Sequence, residues 1–103
     1  MVNIIIYLEK EHNAKELVKH LLSEKLIASA SIDQNNISYE LENNNFSEKV
    51  YSVITAQSKT LLFNDVVNAV TEKIGFELPI NSIPIVASNK LFDTKIKSKT
   101  IPI

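Results

Sequence analysis

The chain has 103 residues and a formal charge of −1, because eleven lysines and no arginine stand against twelve Asp and Glu residues. Hydrophobic residues make up 45% and charged residues 22%, which excludes a disordered chain and a collagen. The near balance of charge excludes a strongly basic nucleic-acid binder, since phosphate-backbone binding needs clustered positive charge. The length predicts one domain over residues 1–103.

Cysteine is absent from the sequence. Disulfides, thiolate metal sites and cysteine nucleophiles are therefore excluded. No apolar run approaches the roughly 18 residues of a transmembrane helix, and no basic segment precedes the short apolar run at the N-terminus, as a signal peptide would require. These features predict a cytoplasmic protein that does not act at a membrane.

The first half of the chain predicts a strand, a helix and a long hairpin. Residues 3–8 are continuously apolar, as in a central strand buried on both faces. Asn13 precedes Glu16 by three positions, which is typical of a helix start, and leucines at helical spacing extend that helix over residues 13–25. Apolar and polar residues then alternate over residues 26–56.

Two interruptions divide the alternating segment. The apolar positions change from even to odd numbers across residues 34–36, which predicts a β-bulge. Three consecutive asparagines at 43–45 predict the turn between the two strands, because Asn tolerates positive φ. Residues 26–56 are therefore expected to form one long β-hairpin.

The second half predicts a helix over residues 59–74, ended by Gly75 in the left-handed conformation. A connection at 77–81 leads to a last strand at 82–87, where Pro84 indicates a sheet edge. A polar, lysine-bearing segment follows, and its apolar docking residues are Leu91, Phe92 and Ile96.

This order, βαββαβ, predicts an α+β fold. Right-handed crossovers make it a ferredoxin-like sandwich, with an antiparallel sheet, two helices on one face, and a long hairpin between the second and third strands.

Two groups of polar side chains are candidates for chemistry. His12, Glu16 and His20 are four residues apart, so nitrogen and carboxylate ligands share one side of the first helix and could bind zinc or copper. The alternative is a solvated helix face with a Glu16–His20 pair. Glu40 and Glu42 share one face of the hairpin, either as an acid–base pair or as ordinary exposed charges.

The chain resembles the CutA divalent-ion-tolerance proteins over residues 3–96. The segment from Ala14 to Ala30 resembles that family's first helix and the strand that follows it. Tyr39, Leu41 and Glu42 resemble its hairpin segment, and Glu48 falls where the family often has Glu in the returning strand. The resemblance continues in the segment 76–79, in the segment 83–85, and in Phe92 and Ile96 of a final short helix.

The resemblance implies a non-enzymatic homotrimer with a role in divalent-ion tolerance. It also implies an intersubunit cleft near five residues: Ser29, Tyr39, Glu42, Phe76 and Glu77. The alternative interpretation of these positions is that they only hold a trimer together.

Several departures from the family's pattern limit what can be carried over. Ile6, Ser29 and Ile74 stand at its soft-ligand positions, so Cu(I) binding of the kind proposed for relatives is not expected. The cofactor is left open as a divalent metal ion without a thiolate site, with His12, Glu16 and His20 as the metal candidates.

Two alternatives to the ion-tolerance function remain at this point. One is a signalling protein similar to the PII sensors, which would bind a small anionic metabolite between subunits; the lack of arginine and of a glycine-rich phosphate loop argues against it. The other is a small enzyme that uses Glu40 or Glu42 as acid–base groups.

Overall fold

A computed structural model describes residues 1–103 and confirms the ferredoxin-like arrangement. A 3-10 turn over Thr60–Leu62 precedes the second long helix. None of the helices is both long enough and apolar enough to cross a bilayer. The elements in chain order are β1 (Val2–Glu9), α1 (Ala14–Ser23), β2 (Ser29–Glu42), β3 (Asn45–Ser58), α2 (Phe63–Ile74), β4 (Ile80–Pro84) and α3 (Lys90–Lys99).

The four strands form one antiparallel sheet in the order β2-β3-β1-β4. Even-numbered residues of β1 and β3 face α1 and α2, as in the pairs Ile4–Ala56 and Ile6–Ile54, which are fully buried. Burial of apolar side chains between the sheet and the helices supplies the main drive for folding. The helices contribute one apolar face each, with Leu17 and Leu21 from α1 and Val66 and Val70 from α2.

Local signals in the sequence define one end of each long helix. The Asn13 side chain accepts a hydrogen bond from the Glu16 backbone N–H at 3.1 Å and so caps the start of α1. Gly75 follows α2 with φ 99°, and its N–H donates to the Thr71 carbonyl. A side chain here would strain the backbone, because left-handed φ is costly for residues with a Cβ.

The predicted bulge and turn are both present in the hairpin. Asp33 pairs with Val53 and Asn36 with Tyr51, so two residues of β2 lie opposite Ser52 alone. Because the bulge changes the parity of β2, the apolar side chains on either side of it point to the same sheet face. At the hairpin tip, Asn43 and Asn44 both have positive φ, as a two-residue primed turn requires.

The C-terminal part of the chain differs from expectation in two places. The last strand is Ile80–Pro84, not residues 82–87, because its partner β1 begins at Val2, which pairs with Pro84. Beyond that point Val86 is 96% exposed. In α3, Ile96 is buried, but Leu91 is 79% exposed and does not dock.

The molecule is elongated, with extents of 47 × 28 × 21 Å and a Cα radius of gyration of 14.6 Å. A compact domain of 100 residues has a radius of gyration of about 13 Å. The far half of the hairpin, residues 36–50, extends past the helices and accounts for this shape.

Candidate functional site

The most distinctive surface is one face of the far hairpin, which we call the hairpin face. Strand register places its six side chains together, and apart from Glu48 they are apolar or aromatic: Ile37, Tyr39, Leu41, Phe46, Glu48 and Val50. Four of them are large exposed hydrophobics, and Phe46 is 85% exposed. Contiguous exposed apolar surface of this kind marks interaction sites in soluble proteins.

The charged member of the hairpin face is paired with its neighbour. Tyr39 lies opposite Glu48 in the register, and its phenol O–H donates to the Glu48 carboxylate at 2.9 Å. This hydrogen bond and the nearby negative charge raise the pKa of Tyr39, because both favour the neutral phenol.

The opposite face of the same hairpin is polar. Lys49 forms an ion pair with Glu42, with Nζ and Oε1 3.1 Å apart. The hydrogen bond in this pair, together with the charges of Glu42 and then Glu40, raises the pKa of Lys49. Glu40 and Glu42 share this face, as the alternation predicted, but neither lines any cavity of the chain.

The five cleft candidates lie in three separate places of the chain. Tyr39 and Glu42 are on opposite faces of the hairpin. Phe76 follows α2, where its ring lies 5.6 Å from that of His12 in the loop before α1, and the adjacent Glu77 is exposed. Their grouping into a cleft therefore depends on neighbouring copies and stays a prediction.

The fifth candidate, Ser29, belongs to a polar row across the sheet that sequence analysis missed. The Ser29 hydroxyl donates to the Gln57 side-chain oxygen, and the Gln57 amide donates to Asn3 Oδ1 at 2.9 Å. These three side chains are neighbours only because the strand register pairs both Ser29 and Asn3 with Gln57. Asn3 and Gln57 also line a cavity of about 400 Å³ beside Phe92.

The three metal candidates do not form a ligand group within the chain. His12 lies before the Asn13 cap, in contact with Phe76 and with its Nε2 3.9 Å from the Glu11 carboxylate, whereas Glu16 and His20 lie within α1. No group of three His, Asp or Glu side chains is arranged to hold a metal ion. The donor set of a single chain thus does not fit a resident metal.

Glu11, beside His12, also has a perturbed acidity. Interaction with its own backbone is the main cause that lowers the pKa of Glu11, and the nearby His12 imidazole contributes in the same direction.

Comparison with solved structures identifies the fold. The chain superposes on the divalent cation tolerance protein Cut A1 from Thermus thermophilus with a TM-score of 0.86 at 20% identity, covering 97% of this chain and 99% of that one. CutA1 from Oryza sativa gives a TM-score of 0.89 at 16% identity, covering 97% of this chain and 93% of that one.

A third structure, the periplasmic divalent cation tolerance protein CutA from Archaeoglobus fulgidus, gives a TM-score of 0.84 at 23% identity, covering 96% of this chain and 98% of that one. No protein-family model and no curated protein sequence matches the chain. The fold implied by the sequence resemblance is therefore confirmed by the structural likeness.

Proposed function

We propose that this chain is a divergent CutA-type protein that acts as a homotrimer, is not an enzyme, and takes part in the response to divalent cations. Two findings support this proposal: the CutA1 fold over nearly the whole chain and the sequence resemblance from the first helix to the last. The main observation behind it is the exposed apolar surface of the hairpin face, which a monomer would leave in contact with water.

A closed ring of copies would cover that face. Each hairpin extends beyond its own helices, so its apolar face has no partner within the subunit. Burying it against a neighbour would stabilise the assembly by about 25 cal/mol per Å² of apolar surface removed from water. Closed symmetry would let every copy bury its hairpin in the same way.

The proposed role requires no metal held by a single subunit. Cysteine is absent and no ligand cluster exists within the chain, so a bound cation would take its ligands from more than one copy. We expect the protein to act in the cytoplasm, in contrast to the periplasmic location that the name of the Archaeoglobus fulgidus protein gives.

Native mass spectrometry of protein purified without a tag or chelator tests this proposal. We expect a species at three times the subunit mass of 11.6 kDa. Added metal mass on that species would support the ion-linked role, whereas an added organic mass would favour the PII-like sensor. A monomer at micromolar concentration would contradict the proposed assembly.

A further inference from the structure

A small polar cavity lies where β1, α1 and the bulge of β2 meet. It adjoins the base of the hairpin face, because its lining residue Ser52 is two residues from Val50 on the same face of β3. Its volume is about 220 Å³, enough for a small ligand, and only one of its eight lining residues is hydrophobic. The lining residues are Lys10, His12, Asn13, Ala14, Lys15, Gln34, Asn35 and Ser52.

The bulge creates this cavity. Gln34 and Asn35 both lie opposite Ser52, one residue more than a regular ladder holds, and Asn35 adopts a φ of 62°. Ser52 lies opposite them on β3, so the ordinary strand ladder is interrupted beside it. Bulges of this kind often occur next to binding sites, because they redirect side chains.

Ser52 is a buried polar side chain without a partner. It is only 6% exposed, and no hydrogen bond within the chain uses its hydroxyl. Every side-chain polar atom that is fully inaccessible to solvent has a hydrogen-bond partner. The unpaired Ser52 hydroxyl therefore retains some solvent-accessible surface, and this surface opens into the cavity that Ser52 lines. Buried hydroxyls are normally hydrogen-bonded, and this one is left for a ligand.

The start of α1 adds free donors to the same cavity. The backbone N–H groups of Ala14 and Lys15 have no hydrogen-bond acceptor in the chain, because they belong to the first turn and the Asn13 side chain serves Glu16 instead. Both residues line the cavity. Such a helix start favours negative charge.

The charge of the lining points to the same class of ligand. Lys10 and Lys15 contribute two positive charges, and no Asp or Glu lines the cavity. The Glu11 carboxylate lies outside it, 3.9 Å from His12 Nε2. Lysine binds phosphate as a point charge, so the absence of arginine does not exclude an oxyanion here.

We propose that this cavity binds a phosphate group, with the Ser52 hydroxyl and the Ala14 and Lys15 N–H groups as hydrogen-bond donors and Lys10 and Lys15 as counter-charges. The ligand is inorganic phosphate or a small phosphomonoester. This proposal does not depend on the proposed function, since phosphate binding and trimer assembly are measured separately.

An NMR titration of the full-length protein with inorganic phosphate, at constant ionic strength, tests the site. We expect saturable shifts of the Ala14 and Lys15 amide signals, and no such shifts when chloride replaces phosphate. A second titration with glycerol phosphate distinguishes the two sources: tighter binding than inorganic phosphate identifies an ester as the ligand, and equal or weaker binding identifies free phosphate.

Variants separate a built site from general charge attraction. Ser52→Ala should weaken phosphate binding about tenfold, as expected for a lost hydrogen bond to a charged group, and Lys15→Gln should weaken it severalfold. Lys19→Gln is the matched control, because Lys19 lies one turn further along α1 and does not line the cavity. Absence of saturable shifts, or equal weakening by Lys15→Gln and Lys19→Gln, would overturn the proposal.

Discussion

The near and far halves of the hairpin carry the same apolar pattern but have opposite surroundings. Ile54 and Phe46 both occupy even positions of β3 and point to the same sheet face. Ile54 is fully buried beneath the helices, whereas Phe46 is 85% exposed beyond them. Alternation therefore tells which side chains share a face, but the length of the covering layer determines which of them are buried.

The difference has a direct physical cause. The helical layer is set by α1 and α2, of ten and twelve residues, while β2 and β3 have fourteen residues each. A helix advances about 1.5 Å per residue and a strand about 3.3 Å. The strands must therefore extend past the helices and leave part of their apolar face outside the helical layer.

The largest expected effect is on assembly. Leu41→Asp places a charge in the middle of the hairpin face and should convert the proposed trimer to monomers, because a buried unpaired charge is very costly. Ser38→Asp is the matched control, since Ser38 lies on the opposite face of the same strand. Sedimentation velocity distinguishes the outcomes, and a trimer that survives Leu41→Asp would remove the hairpin face from the interface.

The next largest effect is a difference in the free energy of unfolding between substitutions in the near half and in the far half of the hairpin. Ile54→Ala should lower the free energy of unfolding by about 2–5 kcal/mol, since it leaves a cavity in the core. In the Leu41→Asp background, Phe46→Ala should change it by less than about 0.5 kcal/mol, as for exposed positions without special contacts. Urea denaturation measures both values, and similar losses would show that the far hairpin belongs to the folded core.

A smaller effect on stability is expected at Gly75, which ends α2. Gly75→Ala should cost about 1 kcal/mol, because Gly75 has φ 99° and left-handed backbone is unfavourable for alanine. No atom lies within 4 Å of the added Cβ, so the cost is conformational alone. Thermal unfolding compared with the wild type measures it, and an unchanged midpoint would contradict this account of the helix end.

The smallest effect concerns one titration on the hairpin face. Glu48→Gln should return the pKa of Tyr39 toward its usual value of 10.0, because Glu48 causes the upward shift. In the wild type, this hydrogen bond stabilises the folded state fully at pH values below the usual tyrosine pKa of about 10. The stabilisation is lost as the pH rises through the raised pKa of Tyr39.

Spectrophotometric titration of the phenolate measures this difference, with Tyr39→Phe identifying the Tyr39 signal among the three tyrosines. An unchanged Tyr39 titration in Glu48→Gln would mean that the hydrogen bond does not form in solution.

Only part of the candidate sites could be predicted from the sequence. Alternation placed Tyr39 and Leu41 on one face and Glu40 and Glu42 on the other, which the register confirms. The cavity beside Ser52 was not foreseen, although a serine at a core-facing position of β3 was a signal for it. Its remaining lining residues come from β1, α1 and the bulge, and no local pattern links these segments.

By itself, the sequence determined the elements and their faces, because periodicity, the Asn13 cap, Gly75 and the change of parity at the bulge are local properties of the chain. Tertiary structure decided the rest. The last strand ends at Pro84 because β1 begins at Val2, and only one further backbone hydrogen bond, from the Ile85 N–H to the Met1 carbonyl, follows that pair. The polar row through Gln57 and the cavity beside Ser52 exist only through strand register. Both depend on pairings between distant segments, whose geometry no short stretch of sequence encodes.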